Sequence, residues 1–349
     1  MDISLCMIVK NEEKNLDKCL ALASGYFSEI VIVDTGSNDK TKEISQKYTD
    51  KVYYFEWCDD FAKARNYAIS LTSKDWILTL DADEFITEIN TDTIEKFIGK
   101  DERKIGRLKR INFFDSSLGT QKYIERVNRL FNKKYFKYLG IIHEQLVALD
   151  GSGYETEHID ITLDHTGYKR NVLIDTSKAE RNIKLLNIAV SERPHDPYLH
   201  YQLGKSYYIS KDYQNACQCF ETALSMSIDF SLEYVVDLVQ SYGYALINCG
   251  YYENALELVR YIDYYSNLTD FNFLIALIYL NNGKLEQAYS FFTKCLSMNE
   301  GSIEGLNSFL PNYNIGVIFE CLGYKEKAAE HYSLCGSYQP ALNRLKQLQ

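Results

Sequence analysis

Proline is scarce in this chain of 349 residues, with four in all, and tryptophan scarcer, with two. So few prolines leave long helices unbroken, because each one would remove a backbone donor and clash with the preceding turn. No apolar run approaches the ~20 residues that a membrane-spanning helix needs. The first run, Ile3 to Val9, is too short for a secretory core and is followed at once by Lys10-Asn11-Glu12-Glu13. A cytoplasmic protein without a transmembrane segment is expected. Basic charge is also lacking. The formal net charge is -10 and both halves are mildly acidic, which excludes the basic footprint of a nucleic-acid binder. Nine cysteines are present, yet none forms a Cys-x-x-Cys pair, and Cys217 and Cys219 stand too close for zinc-type spacing. Reduced, packed thiols are the expectation. The basic residues do cluster locally, at Arg103, Lys104, Arg107, Lys109 and Arg110, and again at Arg126, Arg129, Lys133, Lys134 and Lys137. For most of them a solvated face is expected.

The length suits two domains, and the periodicity changes between them. From residue 3 to about 114, nearly continuous apolar runs alternate with amphipathic patterns. Strands are expected at Ile3–Val9, Glu29–Val33, Lys51–Phe55, Trp76–Leu80 and Arg107–Phe114. Helices are expected around Lys14–Ala23, Asp39–Tyr48 and Phe61–Leu71. Such alternation indicates an α/β domain with a mostly parallel sheet covered on both faces. Residues 123 to 163 look like short strands and loops. After residue 171 only helical periodicity remains. Leu203-Gly204, Tyr207, Ala216, Phe220 and Ala223 follow the tetratricopeptide pattern of small and large residues on paired helices. The small residues recur as Ala255, Ala288 and Ala328, and Ala189 with Pro194 reads as part of a degenerate preceding unit. The expected division is 1–170 and 171–349, an α/β domain followed by an all-α repeat domain.

Ligands of parallel sheets bind beyond the carboxyl ends of the strands, so the polar residues that follow each strand are the candidates for chemistry. The run Ile30-Val31-Ile32-Val33 delivers Asp34 to that edge, and Gly36 permits a tight turn. A carboxylate there can accept from a base N–H or a ribose hydroxyl. Asp39 can be accounted for as a helix cap alone. After Trp76–Leu80, Asp81, Asp83 and Glu84 place three carboxylates within four residues, costly unless a cation is present. Hard oxygen donors suit Mg²⁺ or Mn²⁺ shared with phosphates. Asp60 can cap a helix carrying Arg65, which then reaches a diphosphate or forms an ion pair. His143-Glu144 and Asp164-His165 set two histidines beside carboxylates near turns. Glu144 suits a general base and His165 a further metal ligand.

Taken in order, Ser4-Leu5-Cys6-Met7-Ile8-Val9-Lys10-Asn11-Glu12, Val33-Asp34-Thr35-Gly36-Ser37-Asn38-Asp39, Phe61-Ala62-Lys63-Ala64-Arg65-Asn66 and Asp81-Ala82-Asp83-Glu84 resemble the family-two inverting glycosyltransferases with the A-type nucleotide-sugar fold. With the tetratricopeptide-like tail, the chain looks most similar to bacterial glycosyltransferases of the sublancin type, which attach sugar to a cysteine of a bacteriocin precursor. The resemblance implies a UDP-sugar donor, bound through Asp34, Arg65, Asp60 and Asp81, and a Mg²⁺ or Mn²⁺ ion held by Asp83 and His165. It implies that Glu144, with His143 before it, activates the acceptor; the family usually shows an acidic pair there, and both residues stay candidates for the base. A peptide or protein acceptor follows from the stacked helix pairs, which form surfaces suited to extended chains. A cell-surface glycan or lipid-linked sugar is the alternative acceptor, and a non-catalytic repeat scaffold the alternative class. Homodimerisation through exposed helix faces is compatible with such repeats.

Overall fold

A computed structural model describes residues 1–116, 119–168 and 176–348. The chain divides into two compact units, Met1–Phe114 with Lys122–Ile174, and Asp115–Gln121 with Asp175–Gln349. The boundary expected at 170/171 lies outside the described residues.

The first unit is built on an eight-stranded sheet. Its strands are β1 (Ile3–Val9), β2 (Glu29–Asp34), β3 (Val52–Tyr54), β4 (Trp76–Thr79), β5 (Glu84–Ile89), β6 (Lys104–Ser116), β7 (Gly119–Asn132) and β10 (Glu155–Tyr168), in the order β3-β2-β1-β4-β7-β6-β10-β5. Strands β8 (Phe136–Leu139) and β9 (Gln145–Ala148) form a separate antiparallel pair. All six residues of β2 are buried, as a strand covered on both faces requires. β1 pairs in parallel with β2 and with β4, and β2 with β3, so the ends bearing Asp34 and Asp81 share one edge. Helix α1 (Leu16–Ala23) buries Leu16, Cys19, Leu20 and Ala23, the one-sided stripe of an amphipathic helix. The other helices of this unit are α2 (Thr41–Ser45), α3 (Phe61–Ser70) and α4 (Thr91–Ile98).

Beyond β4 the expectation of short strands and loops over 123–163 is corrected. β7 and β10 are strands of 14 residues each. Charged side chains recur along both, as in Lys122, Glu125, Arg126 and Arg129, which masks the apolar alternation. The sheet is mixed there: β4 pairs antiparallel with β7 and β10 antiparallel with β5, whereas β10 runs parallel to β6. The nine cysteines are unpaired; Cys6, Cys19, Cys217, Cys295 and Cys335 are buried.

The second unit is helical: α5 (Thr176–Glu192), α6 (Pro197–Ile209), α7 (Tyr213–Leu224), α8 (Glu233–Cys249), a broken segment over 252–265, α11 (Thr269–Asn281), α12 (Leu285–Leu296), α13 (Phe309–Cys321), α14 (Lys325–Ser333) and α15 (Gln339–Leu348), α9 and α10 being the short turns Tyr252–Ala255 and Ile262–Tyr265 of the broken segment. Ala216, Ala255, Ala288 and Ala328 are all fully buried, as close approach of paired helices demands. A Cβ on Gly204 would lie 2.5 Å from Phe220 Cε1, and one on Gly316 would lie 2.5 Å from Tyr332 Cε1. The same small-against-aromatic contact is thus used in two repeats. Among the described residues no helix is long and apolar enough to cross a membrane.

Candidate active site

The loops that follow β1 and β2 are laced together. Asn11 accepts from the Asn38 amide at 2.8 Å, and its own amide donates to Ser37 Oγ at 2.9 Å. The Glu12 amide donates to Thr41 Oγ1 at 2.7 Å and the Glu13 amide to Asp39 Oδ2 at 3.1 Å. Asp39 also accepts from the Thr41 amide at 3.0 Å, closing the turn that leads into α2, whose N-cap is Lys40. Asp34, buried at the end of β2, accepts from the Gly36 and Ser37 amides at 2.9 and 2.8 Å, both on Oδ1. Gly36, at φ +102°, makes that turn possible. Asp34 is therefore anchored through one oxygen, which leaves the other for a ligand.

Arg65 is buried on α3 because the helix presents Ala62, Ala64 and Ala68 to the sheet and lies close against it. Asp60 caps the helix, accepting from the Lys63 amide at 2.9 Å, and its second oxygen lies 3.3 Å from Lys63 Nζ. The Phe61 amide donates to the Ile141 carbonyl at 2.9 Å, which docks the turn after β8 on the start of α3. That turn needs positive φ at Gly140 (+109°) and at His143 (+49°), a costly conformation for a non-glycine residue. The result is a contact between Glu144 and Arg65: Nε donates to Oε1 at 2.5 Å. Arg65 Nη2 donates to Asp81 Oδ1 at 2.8 Å, and the guanidinium lies over the Tyr138 ring, 5.5 Å from its centre. Burial pushes the His143 imidazole below its usual value, with Glu144 opposing, so the ring is neutral at neutral pH; its Nε2 is buried without a partner.

The turn after β4 concentrates charge. The Asp81 amide donates to Glu84 Oε2 at 3.1 Å and the Glu84 amide to the Asp81 carbonyl at 3.0 Å, closing a tight loop. Arg129 Nη2 donates to Asp81 Oδ2 and to Glu84 Oε1, both at 2.7 Å. Arg110 Nη1 donates to the same Glu84 oxygen at 2.7 Å. Burial alone would raise the Asp81 pKa, but Arg129 and Arg65 override it and hold the carboxyl well below the usual range. Asp83 also reaches β10. Its Oδ2 lies 3.3 Å from His165 Nε2, and His165 Nδ1 lies 2.7 Å from Asn112 Oδ1. The register explains the meeting: on β10, His165 is level with Asn112 of β6 and with Glu84 of β5.

The structure thus gathers Arg65, Asp81, Glu144 and, through the Asp81–Glu84 turn, the Asp83–His165 pair. Asp34 stands on the same sheet edge two strands away, and Asp60 is engaged as the cap of α3. The expected solvated face for the basic cluster is corrected at two positions. Arg129 is buried and Arg110 nearly so, each committed to acidic partners, whereas Arg103 and Lys134 pair at the surface with Asp150 and Asp75. Arg129, Arg110, Glu125, Asn112 and Tyr138 were not legible as site residues. The one local signal was Arg129 set directly before the apolar pair Leu130-Phe131. Among the described residues no group of three His, Cys, Asp or Glu side chains is arranged to hold a metal ion.

Residues 4–145 match the model of glycosyl transferase family 2, and residues 197–229 and 269–302 match tetratricopeptide repeat models. A TPR repeat-containing protein of Synechococcus elongatus is 32% identical over 211 residues, 58% of this chain and 51% of that protein. The SPbeta prophage-derived glycosyltransferase SunS of Bacillus subtilis is 28% identical over 221 residues, 59% of this chain and 49% of that protein. A glycosyltransferase of Rickettsia typhi is 27% identical over 146 residues, 40% of this chain and 50% of that protein. The chain spans about half the length of these relatives. Among solved structures, the TPR protein YrrB overlaps 50% of this chain and 88% of its own, with a TM-score of 0.41 and 24% identity. The acidic turn, the buried arginines and the family matches converge: the chain carries a family-two glycosyltransferase domain followed by tetratricopeptide repeats.

Proposed function

We propose that this protein is a metal-dependent inverting glycosyltransferase that moves a hexose or N-acetylhexosamine from a UDP-sugar to a peptide or protein, the acceptor group being a cysteine or serine of a bacteriocin precursor. The observation that carries the reading is the junction at the sheet edge, where Asp81 is clamped by Arg65 and Arg129 and Asp83 lies 3.3 Å from His165. A carboxylate oxygen next to an imidazole nitrogen is a donor set that fits Mg²⁺ or Mn²⁺, whose remaining ligands come from a diphosphate and water. When bound, the ion supplies charge stabilisation to the departing nucleoside diphosphate.

The chain's own residues do the rest. Asp34 accepts from the uracil or ribose of the donor through the oxygen its own turn leaves uncovered. Arg65, fixed by α3, sits where positive charge faces the diphosphate. The acceptor's sulfur or oxygen attacks the anomeric carbon from the side opposite UDP, the bond to the diphosphate oxygen breaks, and the acceptor proton passes to Glu144. Its Oε2 is the oxygen that Arg65 does not cover. His143, neutral and adjacent, shapes the turn and is the second candidate for the proton. The repeats, whose stacked helix pairs suit extended chains, support a peptide acceptor.

The test is UDP release from a panel of UDP-sugars with Mn²⁺, together with mass spectrometry of cysteine- and serine-bearing precursor peptides. Wild-type protein should release UDP from at least one donor, and Asp83→Asn should lose the Mn²⁺-stimulated part. A variant with undiminished stimulation refutes the metal assignment, and a wild type inert to every donor refutes the transferase.

A further inference from the structure

His165 can present Nε2 to a cation only if its proton is kept on the other nitrogen, and the neighbouring strands decide where that proton is. Asn112 is almost fully buried on β6, level with His165 on β10. Its Nδ2 lies 2.5 Å from Glu125 Oε1 and 3.4 Å from the Tyr123 carbonyl. Both of those partners are acceptors, so the atom facing them must be the amide NH₂ and the atom facing His165 must be the carbonyl oxygen. Glu125 is itself held in place by Arg110, whose Nε and Nη2 donate to Oε1 at 3.1 and 2.9 Å. Arg110 is in turn fixed by the buried Glu84.

An amide oxygen 2.7 Å from His165 Nδ1 requires a proton on Nδ1. The neutral Nε2–H tautomer would set two lone pairs against each other at that distance. With Nδ1 committed to Asn112, His165 turns Nε2 toward Asp83 Oδ2, 3.3 Å away. An imidazole nitrogen lone pair and a carboxylate oxygen at that separation form a donor pair that a divalent cation can bridge.

We propose that Asn112 is a positioning residue: held by Glu125 and Arg110, it fixes His165 as the Nδ1–H tautomer and presents Nε2 beside Asp83 as a ready half-site for a divalent cation. This rests on the reading of Asp83 and His165 as metal ligands, but the proton's place on the ring can be measured without any metal.

The experiment uses the full chain with ¹⁵N-labelled histidine. Long-range ¹H–¹⁵N correlation of metal-free protein should show Nδ1 of His165 protonated, the signal being identified by its loss in His165→Gln. A bare Nδ1 with a protonated Nε2 would overturn the proposal. Asn112→Leu, which removes the acceptor, should admit the Nε2–H form. It should also weaken Mn²⁺ binding, followed by the electron paramagnetic resonance of free Mn²⁺ in the presence of UDP, by about tenfold or more. The double variant Asn112→Asp with Glu125→Gln keeps an acceptor facing Nδ1 and should bind Mn²⁺ within about twofold of wild type, the small residue of a preserved partner. Unchanged tautomer and Mn²⁺ binding in Asn112→Leu would overturn the proposal, as would a double variant as impaired as Asn112→Leu. Wild-type protein with a protonated Nδ1 that draws no Mn²⁺ beyond what UDP holds would overturn the metal reading while leaving the tautomer assignment standing.

Discussion

Replacing Arg129 by methionine tests whether the charge knot behind Asp81 holds the first unit together. Arg129 is buried, and one nitrogen donates at 2.7 Å to both Asp81 and Glu84. Glu84 is fully buried. In the wild type its two oxygens receive Arg110, Arg129 and the Asp81 amide, so its lone pairs are well supplied. Methionine fills much of the volume but leaves the Glu84 charge with Arg110 as its remaining cationic partner. Breaking a buried pair by removing one member costs about 3–5 kcal/mol, because a desolvated charge is left under-compensated. For a unit of this size each kcal/mol lowers Tm by about 2–4 °C, so the shift should be about 6–20 °C. Differential scanning calorimetry measures it directly. The double variant with Glu84→Gln should lose less than the sum of the two single variants, since removing the negative charge relieves what the methionine leaves behind. A Tm change below about 3 °C, the size expected of an exposed ion pair, would refute the reasoning.

The depressed Asp81 carboxyl makes the first unit sensitive to acid. A carboxyl held below its unfolded value near 3.9 contributes stability above that value, and the contribution disappears as pH falls through the folded value. Urea midpoints should therefore drop between about pH 5 and about pH 3, and drop less in Arg129→Met, where one of the two guanidinium groups is gone. Gly204→Ala should lower the urea midpoint of the repeat unit by the equivalent of about 1–3 kcal/mol, because the new Cβ meets the Phe220 ring, whereas alanine at the exposed turn glycine Gly283 acts only through its positive φ. Glu144→Gln should slow transfer to a serine peptide more than to a cysteine peptide, since a thiol gives up its proton far more readily than a hydroxyl; equal losses, read by mass spectrometry, would count against Glu144 as base.

The sequence by itself determined the parallel strands β1 to β4, the edge at which Asp34 and Asp81 stand, and the repeat helices. Those features are written in local pattern: apolar runs of strand length bounded by turn residues mark strands buried on both faces, and small residues recurring at repeat spacing mark close helix contacts. Tertiary structure alone decided β7 and β10, where exposed charges such as Lys122, Arg126 and Asp160, together with the inward Arg129, hide the strand pattern. It also decided that Arg129 and Arg110 turn inward, because a guanidinium is buried only where acidic partners from distant segments wait for it. Glu144 meets Arg65 across 79 positions, and Asn112 meets His165 across 53. Contacts of that range depend on strand order and register, which residue type and spacing do not encode.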